Sequence, residues 1–304
     1  MVNAVNEEKD KAWLDAVNSK EYCIDLDNHD AEIDADVLIR DLKDSCSGKD
    51  MIIDLALQGP NSLLILKELT RSHHLRRRLE EIMRGEFIEI ELCNIQVMVS
   101  RTGYTGESIG YELFVHPNQA TKFWRILLEK GEKYGIKPVG LAARDSTRIE
   151  AGLPLYGHEL AGPYGISPIE AGYGAFVKLH KPFFIGRERM KQQALRKEAE
   201  VARFRMNKSG QRLVKHGDAI VSPAGESLGH VTSCTLVRGV QQGIGYVKKT
   251  CSVEGTPILI LCAPRVAKEG PLGRPGSRDE TVAPIEATIL TRFPERSRGF
   301  CTPE

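Results

Sequence analysis

The sequence predicts an α+β chain that closes with a small β-barrel. Three observations carry this. Residues 1–200 mix amphipathic helical stretches with strand-like runs. From Val201 onward the texture changes to short strands between glycine turns, at the roughly 8–12-residue spacing of a barrel or sandwich. Between two apolar ends, Val99-Ser-Arg-Thr-Gly-Tyr-Thr-Gly-Glu-Ser-Ile-Gly-Tyr-Glu-Leu-Phe-Val115 holds a turn-rich middle, the mark of paired strands.

Length and composition bound the function. At 304 residues the expectation is about two domains of roughly 150 residues each. We place them at 1–200 and 201–304. Hydrophobic residues make up 41% and charged residues 27% of the chain, enough for a real core. A formal net charge of +1 gives no field for steering nucleic acid or an anionic membrane. No apolar run reaches the roughly 18 residues of a membrane helix. The polar, acidic start, Met-Val-Asn-Ala-Val-Asn-Glu-Glu-Lys-Asp, is neither a secretory signal nor a basic transit peptide. The seven cysteines form no CxxC pair, so free thiols in a reducing compartment are expected.

The elements follow in order. Residues 5–18 predict a helix with Ala12, Trp13 and Val17 on one face, Asn6 as its cap, and Glu7 and Glu8 suiting its dipole. Ile52 to Leu57 reads as a strand broken by Gln58-Gly-Pro60. Pro60 and Asn61 open a helix through Leu63, Leu64, Leu66 and Leu69. His73-His-Leu-Arg-Arg-Arg78 is the solvated face of a short helix; adjacent histidines diverge on a helix and make a poor metal pair. Residues 87–100 predict strands around Cys93-Asn94. Pro117 to Tyr134 is an amphipathic helix with Ala120, Phe123, Trp124, Leu127 and Leu128 buried, ended by Gly135. Residues 139–151 predict a second helix, with Arg144 and Arg148 sharing a face. Residues 186–200 read as a charged linking helix. The barrel strands are expected at 203–206, 219–221, 229–235, 243–247, 257–261 and 284–290, with Pro264 to Val282 a mobile loop. Internal repeats and the phosphate motifs GxGxxG and GxxxxGK[ST] are absent.

In the glycine-rich stretch, Gly103, Gly106 and Gly110 permit turns and close approach to the main chain. Tyr104, Glu107, Tyr111 and Glu112 hang on this frame. A carboxylate beside aromatic rings at a strand edge suits a flat heterocycle; a plain β-hairpin with surface tyrosines fits the same spacing. Arg144 suits two-pronged hydrogen bonding to a carboxylate or amide oxygen, and an ion pair with a nearby acid accounts for it equally. His158 reads more readily as a structural histidine than as a catalytic one.

Several blocks together carry a resemblance. They are Ala56-Leu-Gln-Gly-Pro60, Ser100-Arg-Thr-Gly-Tyr-Thr-Gly-Glu107 with Gly110-Tyr-Glu112, and Gly140-Leu-Ala-Ala-Arg-Asp-Ser146 through Glu150-Ala-Gly-Leu-Pro-Leu-Tyr-Gly-His158. Ser167-Pro-Ile-Glu-Ala-Gly172, Lys181 with Phe184-Ile-Gly186, and Gly229-His-Val-Thr-Ser233 continue them in order. This pattern resembles the glycine cleavage system T-protein (aminomethyltransferase) family. The resemblance implies a partial folate-binding cloverleaf with a C-terminal small β-barrel domain. It also implies transfer of a one-carbon unit from aminomethyl-lipoyl H-protein to tetrahydrofolate, with release of ammonia.

Carried over residue by residue, Glu112 resembles the pterin-binding glutamate, whose carboxylate accepts two parallel N–H donors. Arg144 resembles an arginine that contacts folate, and Tyr104 a tyrosine of the pocket wall. Asn3 resembles a pocket asparagine, and Tyr156 is a candidate from the Leu-Pro-Leu-Tyr-Gly block. The match begins at Val2-Asn-Ala, which in the family lies well inside the protein; the expectation is a fragment, a shortened gene or a segment supplied by a partner. The family's catalytic aspartate falls in the missing part, so the catalytic residue is unknown. Gly172-Tyr-Gly-Ala-Phe176 lacks the family's tryptophan, and Glu107-Ser-Ile-Gly-Tyr is one residue longer than its counterpart. Two alternatives follow: a folate-dependent demethylase with another methyl donor, or a catalytically silent folate-binding module. The expected partner is lipoylated H-protein, and the expected location is the cytoplasm, or the mitochondrial matrix in a eukaryote.

Overall fold

The computed structural model describes residues 4–25, 28, 37–262 and 283–294. Its helices are α1 (Glu7–Asn18), α2 (Ser62–Glu68), α3 (His73–Glu81), α4 (Pro117–Gly131), α5 (Leu141–Glu150) and α6 (Arg187–Leu195). Its strands are β1 (Ile53–Gln58), β2 (Phe87–Leu92), β3 (Ile95–Ser100), β4 (Gly110–Val115), β5 (Ala199–Met206), β6 (Ala219–Val221), β7 (Ser227–Val237), β8 (Val240–Lys248), β9 (Pro257–Leu261) and β10 (Ile285–Leu290). The mixed α+β class with a closing barrel is what the sequence predicts. The described residues divide into two compact units, 38–147 in one and 4–37 with 148–294 in the other.

In the 38–147 unit, four strands form one antiparallel sheet in the order β1-β4-β3-β2. Strand alternation sorts its residues. One face carries Leu57, Ile90, Val97, Val99, Tyr111, Leu113 and Val115 into a core shared with Ile65 and Leu66 of α2, Leu79 of α3 and Phe123 of α4. The opposite face is mixed: it carries Asp54, Gln58, Ser100 and Glu112 together with Ala56, Met98 and Phe114. β2 and β3 meet through Cys93-Asn94, both at positive φ (52° and 59°), as a two-residue hairpin turn whose twist matches the strands demands. His116 caps α4 by accepting from the Asn118 N–H, and Pro117 occupies its first turn, where a missing N–H costs nothing. Gly135 closes the following turn at φ 74°.

In the other unit, six antiparallel strands close into a barrel in the order β10-β5-β8-β7-β6-β9, with β9 paired back to β10. Phe204, Ile220, Val231, Ile258, Ile260 and Ile289 fill it. Gly229 at φ 155° lets β7 lie against β8: a Cβ there would sit 2.0 Å from the Tyr246 carbonyl oxygen. A smaller cluster of Ile149, Ile166, Ala171, Val201 and Ile244 fixes the irregular 150–176 segment beside the barrel.

Four local expectations are corrected. Asn6 stands at the start of α1 but caps nothing; its side-chain amide donates instead to the Tyr156 carbonyl. Only Val17 of the α1 stripe is buried, and Trp13 packs on Tyr22 at 5.1 Å between ring centroids. The charged helix stops at Leu195, because Ala199 and Glu200 join the ladder with β8. Trp124 sits on the exposed flank of α4. The expected loop Pro264 to Val282 lies outside the described residues.

Candidate functional site

The glycine-rich loop between β3 and β4 is organised by a side chain the sequence did not single out. The Gln58 amide, at the end of β1, donates to the carbonyls of Thr102 and Tyr111, both at 3.2 Å, and accepts from the Thr105 hydroxyl at 3.1 Å. It occupies the space that Gly103 and Gly110 leave open. A Cβ at Gly103 would lie 1.9 Å from the Gln58 Oε1, and one at Gly110 2.3 Å from it. The glycines therefore serve close approach of a neighbouring side chain. The Gln58 in Ala56-Leu-Gln-Gly-Pro60 and the spaced glycines were both legible; their complementarity in space was not.

This staple fixes the start of β4 and with it Glu112. Glu112 pairs in register with Ala56 on β1 and Ser100 on β3, on the face of the sheet opposite the core. It is half-buried and makes no side-chain hydrogen bond or ion pair among the described residues. Tyr111 projects to the opposite face and is part of the core, where burial pushes its phenol up. It is thus removed from the expected ring of pocket residues. Glu107 is exposed in the loop, and Tyr104 is half-buried there.

Asp54 shares the Glu112 face. It pairs with Phe114 and stands diagonal to Glu112, a separation of roughly 7–8 Å between backbone positions in such a ladder. Burial, and then the Glu112 carboxylate, push its carboxyl up to about 6, while the Arg144 guanidinium acts in the opposite sense. Glu112 and Arg144 therefore both lie within electrostatic range of one carboxyl. Arg144 is on the exposed first part of α5, whereas Arg148 is buried, so the two do not act as one face.

Arg148 instead belongs to a sequestered network in the barrel-bearing unit. Its Nη1 donates to Glu159 Oε2 at 2.7 Å and its Nη2 to the Ser233 hydroxyl at 2.8 Å. Ser233 donates to Glu159 Oε1 at 2.6 Å, and the Leu155 N–H donates to Glu159 Oε2 at 2.9 Å. This closed arrangement fixes the Leu155–Glu159 turn and with it Tyr156. The Tyr156 ring lies under the Lys9 ammonium of α1, 4.3 Å from its centroid. His158 stands edge-on to His216 at 5.4 Å, consistent with a structural role. Asn3 lies outside the described residues. Among the described residues no group of three or more His, Cys, Asp or Glu could hold a metal ion.

Known proteins extend this picture. A family model described as GCVT N-terminal domain matches residues 1–181. The aminomethyltransferase of Caldanaerobacter subterraneus subsp. tengcongensis is 34% identical over 252 residues, 81% of this chain and 58% of the relative. That of Bacteroides thetaiotaomicron is 35% identical over 268 residues, 86% of this chain and 65% of the relative. The chain thus spans about three fifths of the length of such relatives. Among solved structures, the glycine cleavage system aminomethyltransferase T from Bartonella henselae superposes with a TM-score of 0.60 at 25% identity, covering 79% of this chain and 59% of that one. These matches show that the chain belongs to the aminomethyltransferase family defined by the GCVT N-terminal domain.

Proposed function

We propose that this chain binds tetrahydrofolate through Glu112 and Arg144 and serves aminomethyl transfer in the glycine cleavage system. The observation that carries the reading is Glu112 itself. A half-buried carboxylate without an ion pair among the described residues, set on the sheet face opposite the core by a stapled loop, is an acceptor kept for a ligand. A pterin edge offers two parallel N–H donors to such a group. Arg144 supplies positive charge on the same neighbourhood, and Tyr104 supplies half-buried aromatic surface in the loop. The residues present suit the ligand: an acceptor for its N–H edge and a guanidinium for an amide-type oxygen of the same ring. Tetrahydrofolate supplies the nitrogen that takes the one-carbon unit; the protein's part is to bind it and hold it in place, so that acceleration comes largely from positioning. Asn3 and Tyr156 are proposed as folate contacts by family resemblance alone, and lipoylated H-protein is the proposed donor partner.

Titration calorimetry with tetrahydrofolate tests this. The chain binds, and Glu112→Ala weakens binding at least tenfold, about 1.4 kcal/mol. Unchanged affinity removes Glu112 from the site. Turnover with aminomethylated H-protein then separates an aminomethyltransferase from a silent folate-binding module. Product analysis for methyl- against methylene-tetrahydrofolate, with other methyl donors, identifies a demethylase.

A further inference from the structure

The sheet face that bears Glu112 holds one group that neither the sequence nor the family resemblance assigns. Asp54 is the second residue of β1, where its neighbours Ile53 and Leu55 pack against the core. Its Oδ1 is buried and has no hydrogen-bond partner. Leaving a buried carboxyl oxygen unmet is unfavourable, and a donor on a bound ligand relieves it. Its place in the register, diagonal to Glu112 on the same face, puts it beside the proposed ligand. We propose that Asp54 is a second ligand-contacting carboxyl of the Glu112 site, its Oδ1 accepting a hydrogen bond from an N–H of the bound nitrogen heterocycle.

This rests on the folate reading of that site and deepens it. Two acceptors spaced along one sheet face fit a heterocycle with N–H groups on more than one edge. The charged groups facing Asp54 among the described residues are Glu112 from β4 and Arg144 from α5. Burial and the Glu112 charge hold the free carboxyl protonated below about pH 6. The ionised carboxylate accepts an N–H bond more strongly than the protonated carboxyl does, so below that pH the bound ligand favours release of the Asp54 proton into solvent. Affinity therefore rises with pH up to about 6 and then levels, by at most about tenfold per pH unit for one linked proton.

The test is calorimetry of the full chain with tetrahydrofolate at pH 5.0, 6.0 and 7.5, in buffers of different ionisation enthalpy so that released protons are counted. The wild type is compared with Asp54→Asn, which keeps the shape and cannot titrate, and with the smaller Asp54→Ser. The expected result is proton release at pH 5.0 in the wild type, lost in both variants, with a correspondingly flatter pH profile. If wild type and variants bind with the same affinity, profile and proton count, Asp54 is not a contact and only this inference falls. If the wild type does not bind tetrahydrofolate at any pH, the folate reading falls and this inference falls with it.

Discussion

Removing the Glu159 carboxylate strikes the chain where charge is most deeply buried. The Arg148 and Glu159 side chains are 3% and 0% exposed, and their atoms meet at 2.7 Å. In Glu159→Ala the carboxylate leaves a guanidinium that water cannot reach, a Ser233 hydroxyl that loses its acceptor, and a Leu155 N–H in the same position. Deleting one partner of such a pair costs about 3–5 kcal/mol. Two lost hydrogen bonds add about 1 kcal/mol each at the low end, and because the groups share one network the terms do not add fully. We expect a loss of about 4 kcal/mol, read as a shift in the urea midpoint of the cooperative phase that carries the barrel. Glu159→Gln keeps the shape and loses the charge, and is expected to recover part of that loss. Arg148→Met with Glu159→Gln removes both charges and is expected to be more stable than Glu159→Ala. A cost below about 1 kcal/mol for Glu159→Ala, or a double variant worse than either single change, refutes the charge-compensation reasoning.

Three further predictions follow from particular contacts. Gln58→Ala deletes the amide that bonds Thr102, Tyr111 and Thr105; it costs about 1–3 kcal/mol and speeds amide hydrogen exchange over residues 101–110, while unchanged exchange there removes Gln58 as the staple. Gly229→Ala forces a Cβ to 2.0 Å from a backbone oxygen that the β7–β8 ladder holds in place; we expect loss of cooperative barrel unfolding, and a wild-type melting curve counts against the packing. Asp54→Asn stabilises the protein at neutral pH. The wild-type carboxyl is raised from 3.8 to about 6 in the fold, so the folded chain binds more protons between those values and stability falls as pH rises through that window. The full shift corresponds to about 3 kcal/mol, and partial exposure screens it to about 1–2 kcal/mol. Midpoints that differ between the two proteins equally at pH 4 and pH 7.5 contradict this.

Much of the fold was legible because it rests on local patterns. The alternation of Val97, Val99, Leu113 and Val115 predicts paired strands, and all four are buried on one face. Pro117 and Gly135 bracket α4 and its terminal turn through backbone geometry that any sequence reading can use. The misses are tertiary. Asn6 has the chemistry of a cap, yet its amide is claimed by a carbonyl 150 residues away. Ala199 and Glu200 continue a helical charge pattern, yet the β8 edge recruits them into a strand. Propensity is a weak prior against such partners.

The site shows the same division more sharply. Glu112 and Arg144 were found through motif resemblance, which records chemistry without geometry. Asp54 carries no motif of its own within the predicted Ile52 to Leu57 strand. Nothing in Ile52-Ile-Asp-Leu-Ala-Leu57 says that the aspartate pairs across from β4 diagonal to Glu112, since register joins positions more than fifty residues apart. Tyr111 failed for the same reason in reverse: it neighbours Glu112 in sequence, but strand alternation sends it into the core. Period-two alternation applied to Gly110-Tyr-Glu112 already separates the tyrosine from the glutamate. What it cannot supply is the second strand, and the second strand brings both the Gln58 amide that fixes the loop and Asp54 with its buried, unpartnered Oδ1. A functional site on a sheet face is therefore half-visible in one strand, and the neighbouring strand decides which of its residues can act together.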